Sequence, residues 1–138
     1  MLPTLSSGLV YDMLDAVHGS LANLGHGATP IYVVAPSAEQ SLAYSNILGE
    51  WLTKHLQDKT LLPEWPFAHS ELARKGRITV LGSLAELADT GLRTPSVVFA
   101  GHPSLRCGDV VHILAQFGQS TRNSLILTGT RMCARRAI

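Results

Sequence analysis

The residues best placed to do chemistry lie in one short run, Gly101-His-Pro-Ser-Leu-Arg-Cys-Gly108. Arg106, two residues before a glycine that opens an amphipathic segment, can offer a guanidinium and helix N-terminal N–H groups to an anion. The run is neither Gly-x-Gly-x-x-Gly nor Gly-x-x-x-x-Gly-Lys-Ser/Thr, so a plain tight connection competes with a phosphate or nucleotide cradle. His102 and Ser104 form a loop pair without an orienting acid that the sequence identifies, and the chain has no Gly-x-Ser-x-Gly elbow. Cys107, at the mouth of the expected helix, reads either as a thiol of lowered pKa or as an inert half-buried one.

Metal chemistry has less support. The six histidines, His18, His26, His55, His69, His102 and His112, show no His-x-His and no His-x-x-x-His on a helix face. A zinc site needs three or four donors converging at about 2 Å, which this spacing does not supply locally. Neither Cys107 nor Cys133 sits in a Cys-x-x-Cys pair, and two cysteines in 138 residues make no disulfide scaffold. A reduced compartment is expected. Leu2-Pro3 follows Met1 without a basic stretch or apolar core, so no signal peptide is read, and no apolar run approaches the roughly 20 residues of a membrane span.

The net charge of +1 conceals an asymmetry. Residues 1–69 hold two lysines against six carboxylates, a net −4, and residues 70–138 hold nine Lys/Arg against four carboxylates, a net +5. A basic half is a nucleic-acid footprint only if its charges share one face. Here they are spread over several elements, with Arg131, Arg135 and Arg136 crowded at the end.

The elements that would position the run follow from periodicity. Ser96–Ala100 reads as a strand buried on both faces. After Gly108, Val110, Val111, Ile113, Leu114, Ala115 and Phe117 share one helical arc, with His112 and Gln116 opposite. Ser6 or Ser7 is expected to cap a helix running to about Leu24, with Leu9, Val10, Met13, Leu14, Val17, Leu21 and Leu24 inward, and Gly25-His26-Gly27 ending it. Ile31–Ala35 is a strand, followed by one helix from about Ala38 to Leu56 whose apolar arc holds Tyr44, Ile47, Leu48, Trp51, Leu52 and Leu56. Glu50 and Lys54 pair on its outer side, and His55 falls on the apolar arc near its end. Leu62–Phe67 has two prolines and reads as a stiff surface loop, with Trp65 and Phe67 either packing back or forming a contact surface. Arg77–Leu81 is a strand, Ser83–Gly91 a weak helical turn or loop, and Ser124–Thr128 the last strand. Leu2-Pro3 looks like the end of a strand, and Gly129–Ile138 is expected to be poorly ordered. Strands alternating with amphipathic helices predict an α/β domain, a Rossmann-like, mostly parallel sheet with helices on both faces.

Several segments together resemble the β-CASP domain of the Integrator subunit nine family, a branch of the metallo-β-lactamase RNA-processing enzymes. They are Ser7-Gly-Leu-Val-Tyr-Asp-Met-Leu14, Pro30-Ile-Tyr-Val-Val-Ala-Pro36, Leu62-Pro-Glu-x-Pro-Phe67 and, above all, Val97-Val-Phe-Ala-Gly-His-Pro-Ser-Leu-Arg-Cys-Gly-Asp-Val-Val-His112. The resemblance runs from Leu2 to Thr128, so residues 1–128 form a β-CASP domain with a clipped first strand and 129–138 an unmatched tail, the pattern of a fragment. It implies a Rossmann-like insert that in active relatives caps a two-zinc RNA endonuclease. It also implies a nuclear subunit without catalysis, cofactor or metal, partnered with the catalytic endonuclease subunit of Integrator and other Integrator subunits in small nuclear RNA 3′-end processing. Active relatives carry Gly-Arg-x-Gln-Glu where this chain has Gly8-Leu-Val-Tyr-Asp12, and a histidine after the last strand where Gly129–Ile138 has none. On this reading His102, Ser104 and Arg106 are candidates for contact with a partner or with RNA. A small phosphate- or nucleotide-binding protein using Gly101–Gly108, or an RNA-binding module without catalysis, stands as the alternative.

Overall fold

A computed structural model describes residues 1–61 and 65–128, with the side chains at 49, 50, 55, 60 and 61 outside the description. The expected Glu50–Lys54 pair, the place of His55, Leu62–Glu64 and the 129–138 tail therefore lie outside the described residues. Four parallel strands, β1 (Leu2–Pro3), β2 (Ile31–Val34), β3 (Ile78–Leu81) and β4 (Val97–Ala100), form one sheet in the order β1-β4-β2-β3. Ile31 pairs with Val97 on one side and Ile78 on the other, and Val34 with Ala100 and Leu81, so the three longer strands are in step.

Because strand side chains alternate, this register sorts apolar residues into two cores. Ile31, Val33, Ile78 and Phe99 face α1 (Leu9–Asn23), α2 (Ala38–Ser45) and α4 (Ala68–Arg74). Tyr32, Val34, Leu81, Val98 and Ala100 face α5 (Leu84–Thr90) and α6 (Asp109–Phe117). The predicted α/β class, the parallel sheet and the helices on both faces are what the molecule has. No described helix is long and apolar enough to cross a membrane.

Local departures each have a cause. Gly8, with φ 72°, occupies the N-cap of α1, and neither Ser6 nor Ser7 caps it. Ser6 Oγ instead lies 3.0 Å from Ser37 Oγ at the start of α2. Tyr11, outside the expected arc, is buried because its hydroxyl donates to the Ser41 carbonyl at 3.0 Å, whereas Leu9 and Leu24 are exposed.

The single helix expected over 38–56 is three pieces: α2, a 3₁₀ turn over Leu48–Trp51 and α3 (Lys54–Leu61). Ser45 Oγ donates to the Leu42 carbonyl at 2.6 Å, and Asn46 exchanges hydrogen bonds with Ser70 at 2.9 and 3.0 Å. These side chains compete with the helical ladder and end it. Tyr44, Ile47 and Trp51 then face solvent rather than the core. Ser83–Gly91 is firmer than expected: Ser83 Oγ accepts from Glu86 N–H and Glu86 accepts from Gly82 N–H at 2.8 Å, a reciprocal cap on α5. α4 has no counterpart among the expected elements.

The last predicted strand is not one. Leu125 lies opposite Met1 with the bonding pattern of a single parallel pair, Met1 N to the Ser124 carbonyl at 2.6 Å and Ile126 N–H to the Met1 carbonyl at 2.9 Å. The ladder stops there because Pro3 has no N–H to extend it and β1 is two residues long.

Candidate functional site

The strand order decides where a site can form. The connections through α1 and through α2–α4 run toward the β3 edge on one face, while α5 and α6 lead back toward β1 on the other. At the carboxyl ends of β1, β4 and β2 the outgoing chain therefore diverges to opposite faces, leaving a crevice of the kind in which α/β sheets bind ligands. Thr4–Gly8, Ala35–Ser37 and Gly101–Gly108 meet there.

Gly101 follows β4 directly, its N–H donating to the Val34 carbonyl at 3.2 Å while Thr4 N–H donates to Ala100 at 3.0 Å. The loop then closes on itself. Ser104 N–H donates to His102 Nδ1 at 3.1 Å, Ser104 Oγ lies 3.0 Å from the same nitrogen, and Leu105 N–H donates to the His102 carbonyl at 3.1 Å. Leu105 takes a left-handed conformation, φ 57°, unfavourable for a leucine but compensated by packing against the second core. Gly108, φ 79°, is required twice over: a side chain would be strained there, and a Cβ would meet the Gly101 carbonyl oxygen at 3.1 Å.

The helix end behind the loop is partly spent. Val110 N–H donates to the Gly101 carbonyl at 3.2 Å, and Asp109 Oδ2 accepts from Leu84 N–H at 3.2 Å, tying α6 to α5. His102 and Ser104 are thus brought together, as the sequence suggested, and engage each other. Arg106 is exposed, and its guanidinium has no partner among the described residues. Cys107 is an exposed free thiol whose Sγ lies 4.0 Å from Ser104 Oγ. Among the described residues no three His, Cys, Asp or Glu side chains come together as a metal cluster. The described cations of the second half are dispersed too. Arg74 ends α4 and Lys75 follows it as its C-cap, Arg77 donates to the Ala28 carbonyl at 3.1 Å, and Arg106 stands at the carboxyl edge.

A second polar cluster escaped the sequence reading. His69 of α4 is 3% exposed, with Nε2 3.1 Å from the Leu42 carbonyl and 3.2 Å from Ser45 Oγ. Since the Ser45 hydroxyl already donates to Leu42, Nε2 carries the proton and Nδ1 is a bare, buried acceptor with no described partner. Its ring stacks with Phe67, centroids 5.8 Å apart, and Tyr11 completes the trio. Burial lowers the His69 pKa below 6.5, and burial likewise raises that of Asp15, whose Oδ1 accepts Ala68 N–H at 3.1 Å. The partners of His69, which are Leu42, Ser45 and Tyr11, are distant along the chain, and a helix of seven residues is too short to show a period.

Comparison with known proteins matches the Beta-Casp domain family over residues 9–133. The chain is 44% identical over 93% of its length to an Integrator complex subunit 9 homolog of Nematostella vectensis, covering 19% of that protein. It is 39% identical over 93% to Integrator complex subunit 9 of Homo sapiens, covering 20%, and 31% identical over 92% to the Dictyostelium discoideum homolog, covering 17%. The chain spans about a fifth of the length of these curated relatives. The parallel sheet with helices on both faces and the matched family together place this chain in the β-CASP domain family.

Proposed function

We propose that this chain is a non-catalytic β-CASP module that works by protein–protein contact within the nuclear Integrator RNA-processing machinery. Its partners are the catalytic endonuclease subunit and other Integrator subunits, and its process is small nuclear RNA 3′-end formation. The observation that carries the reading is the opening of α1. Gly8 turns the chain at the carboxyl end of β1, where active relatives continue with Arg-x-Gln-Glu, but here Leu9-Val10-Tyr11-Asp12 follows. Leu9, in the Arg position, is exposed but apolar, and Tyr11, in the Gln position, is buried in the first core with its hydroxyl used by Ser41, so neither offers the polar group that active relatives place there. The similarity to Integrator subunits supports the assembly, and His102, Ser104 and Arg106 supply the exposed loop for partner or RNA contact.

The test has two arms. The chain, incubated with zinc and RNA, is expected to leave the RNA intact, and metal-dependent cleavage by the chain alone would overturn the reading. Co-expressed with the catalytic subunit, it is expected to co-purify, and Arg106→Ala to weaken that association; failure to co-purify with any Integrator subunit counts equally against it. One observation favours a second reading, anion binding: the unpartnered Arg106 guanidinium beside the start of α6. Calorimetric binding of a nucleotide that is abolished by Arg106→Ala would select that alternative.

A further inference from the structure

The end of α2 carries an apolar stripe that the core does not use. Tyr44, Ile47 and Trp51 are 59%, 75% and 85% exposed, on successive turns that run from α2 through the 3₁₀ turn toward α3. The backbone beneath them is fixed. Ile47 N–H donates to the Tyr44 carbonyl at 2.9 Å, Ser45 is fully buried, and the Asn46–Ser70 hydrogen bonds tie this corner to α4.

Opposite charges stand at the two ends of the stripe. Glu39, exposed in the first turn of α2, lies eight residues before Ile47, and Lys54, exposed at the start of α3, lies seven after it. Neither side chain has a hydrogen-bonded or ion-pair partner among the described residues. Between them the described side chains carry no charge, and the sequence adds Glu50 alone. Tyr44 and Trp51 stand three and four residues either side of Ile47. Reversing the stripe about Ile47 thus lays Tyr44 on Trp51 and Glu39 on Lys54. A surface that complements itself on reversal is what a two-fold contact between identical chains requires.

We infer that the stripe is a homodimer contact. A second copy of this chain packs antiparallel across it, with Ile47 near the two-fold axis, each Tyr44 against the other copy's Trp51, and each Glu39 beside the other copy's Lys54. The area is sufficient. Full burial of an aromatic side chain removes about 150–250 Å², so at these exposures the three residues have roughly 400–500 Å² to give on each copy. Two copies together reach the roughly 1,000 Å² at which a specific interface begins, which makes the dimer a weak one. A second copy supplies the complement at every position, whereas an unrelated apolar surface leaves both end charges unpaired. The inference stands apart from the function proposed above, whose contact loop lies at the carboxyl edge of the sheet.

The test uses the full chain carrying Trp65→Phe, so that Trp51 is the remaining indole. Sedimentation velocity and Trp51 emission are followed from nanomolar to high micromolar concentration. The mass is expected to rise from 14.8 kDa toward twice that value, with a blue shift of Trp51 emission over the same range. Ile47→Glu is expected to abolish association and Tyr44→Ala to weaken it about tenfold, with circular dichroism unchanged. Glu39→Lys and Lys54→Glu are each expected to weaken the dimer, and the double variant to restore it. A chain that stays monomeric, association unchanged in Ile47→Glu, or a double variant that does not regain what the single variants lose would overturn the inference. Open-ended association would overturn it too, since a two-fold contact closes. A monomeric chain whose Trp51 emission shifts on phosphatidylcholine vesicles would assign the stripe to a membrane surface instead.

Discussion

His69 shows how much one side chain can hold. It joins α4 to α2 through Ser45 and Leu42 and to α1 through Tyr11, yet keeps a bare, buried Nδ1. Burial lowers its folded pKa, so the unfolded chain binds the proton more readily. The stability it contributes is therefore complete above the unfolded value of 6.5 and is lost as pH falls below it toward the folded pKa. Asp15 has the opposite sign, since its pKa is raised by burial and the folded state is relieved as its carboxylate takes a proton. The urea midpoint is expected to fall between about pH 7 and 5, with part of the loss recovered at lower pH. His69→Phe should keep the aromatic trio and flatten the slope near pH 6; an unchanged slope in that variant would assign the dependence to other groups. Histidine at 69 is plain in the sequence, but its burial depends on Leu42 and Ser45, which are distant along the chain. No local pattern contains that information.

At the scale of elements, periodicity succeeded where the helix is governed by one buried stripe and failed where side chains bond back to the backbone. α6 has its buried residues, Val110 and Ile113, within the expected arc. The 38–56 helix breaks because Ser45 and Asn46 have better partners than the helical ladder. α5 illustrates the reverse, a weak apolar pattern stabilised by the Ser83–Glu86 cap. Ser83→Ala is expected to cost about 1 kcal/mol or somewhat less, read as a lower urea midpoint with unchanged m-value. A neutral outcome would mean that α5 is held by Leu87 packing alone.

At the scale of the whole molecule, β4 is the axis: it pairs with β1 and β2 and separates the two cores, with Phe99 fully buried against the first helical face. Phe99→Ala is expected to destabilise the fold by roughly 3–5 kcal/mol; a loss below about 1 kcal/mol in denaturant melts would mean that the first core collapses around the gap. By itself the sequence determined the α/β class, the parallel sheet, the residues of three strands and the loop with His102, Ser104 and Arg106, because buried strands and striped helices write themselves as local apolar patterns. Its resemblance to the β-CASP family rested on contiguous motifs such as Gly101–Arg106, which also need no tertiary knowledge. Only the tertiary structure decided that Ser124–Thr128 forms a single pair with Met1, that His102 and Ser104 engage each other, and that Tyr44, Ile47 and Trp51 are left to solvent. Those outcomes depend on which groups meet across the chain, and hydrogen bonds and charges are assigned by spatial neighbours rather than by sequence neighbours.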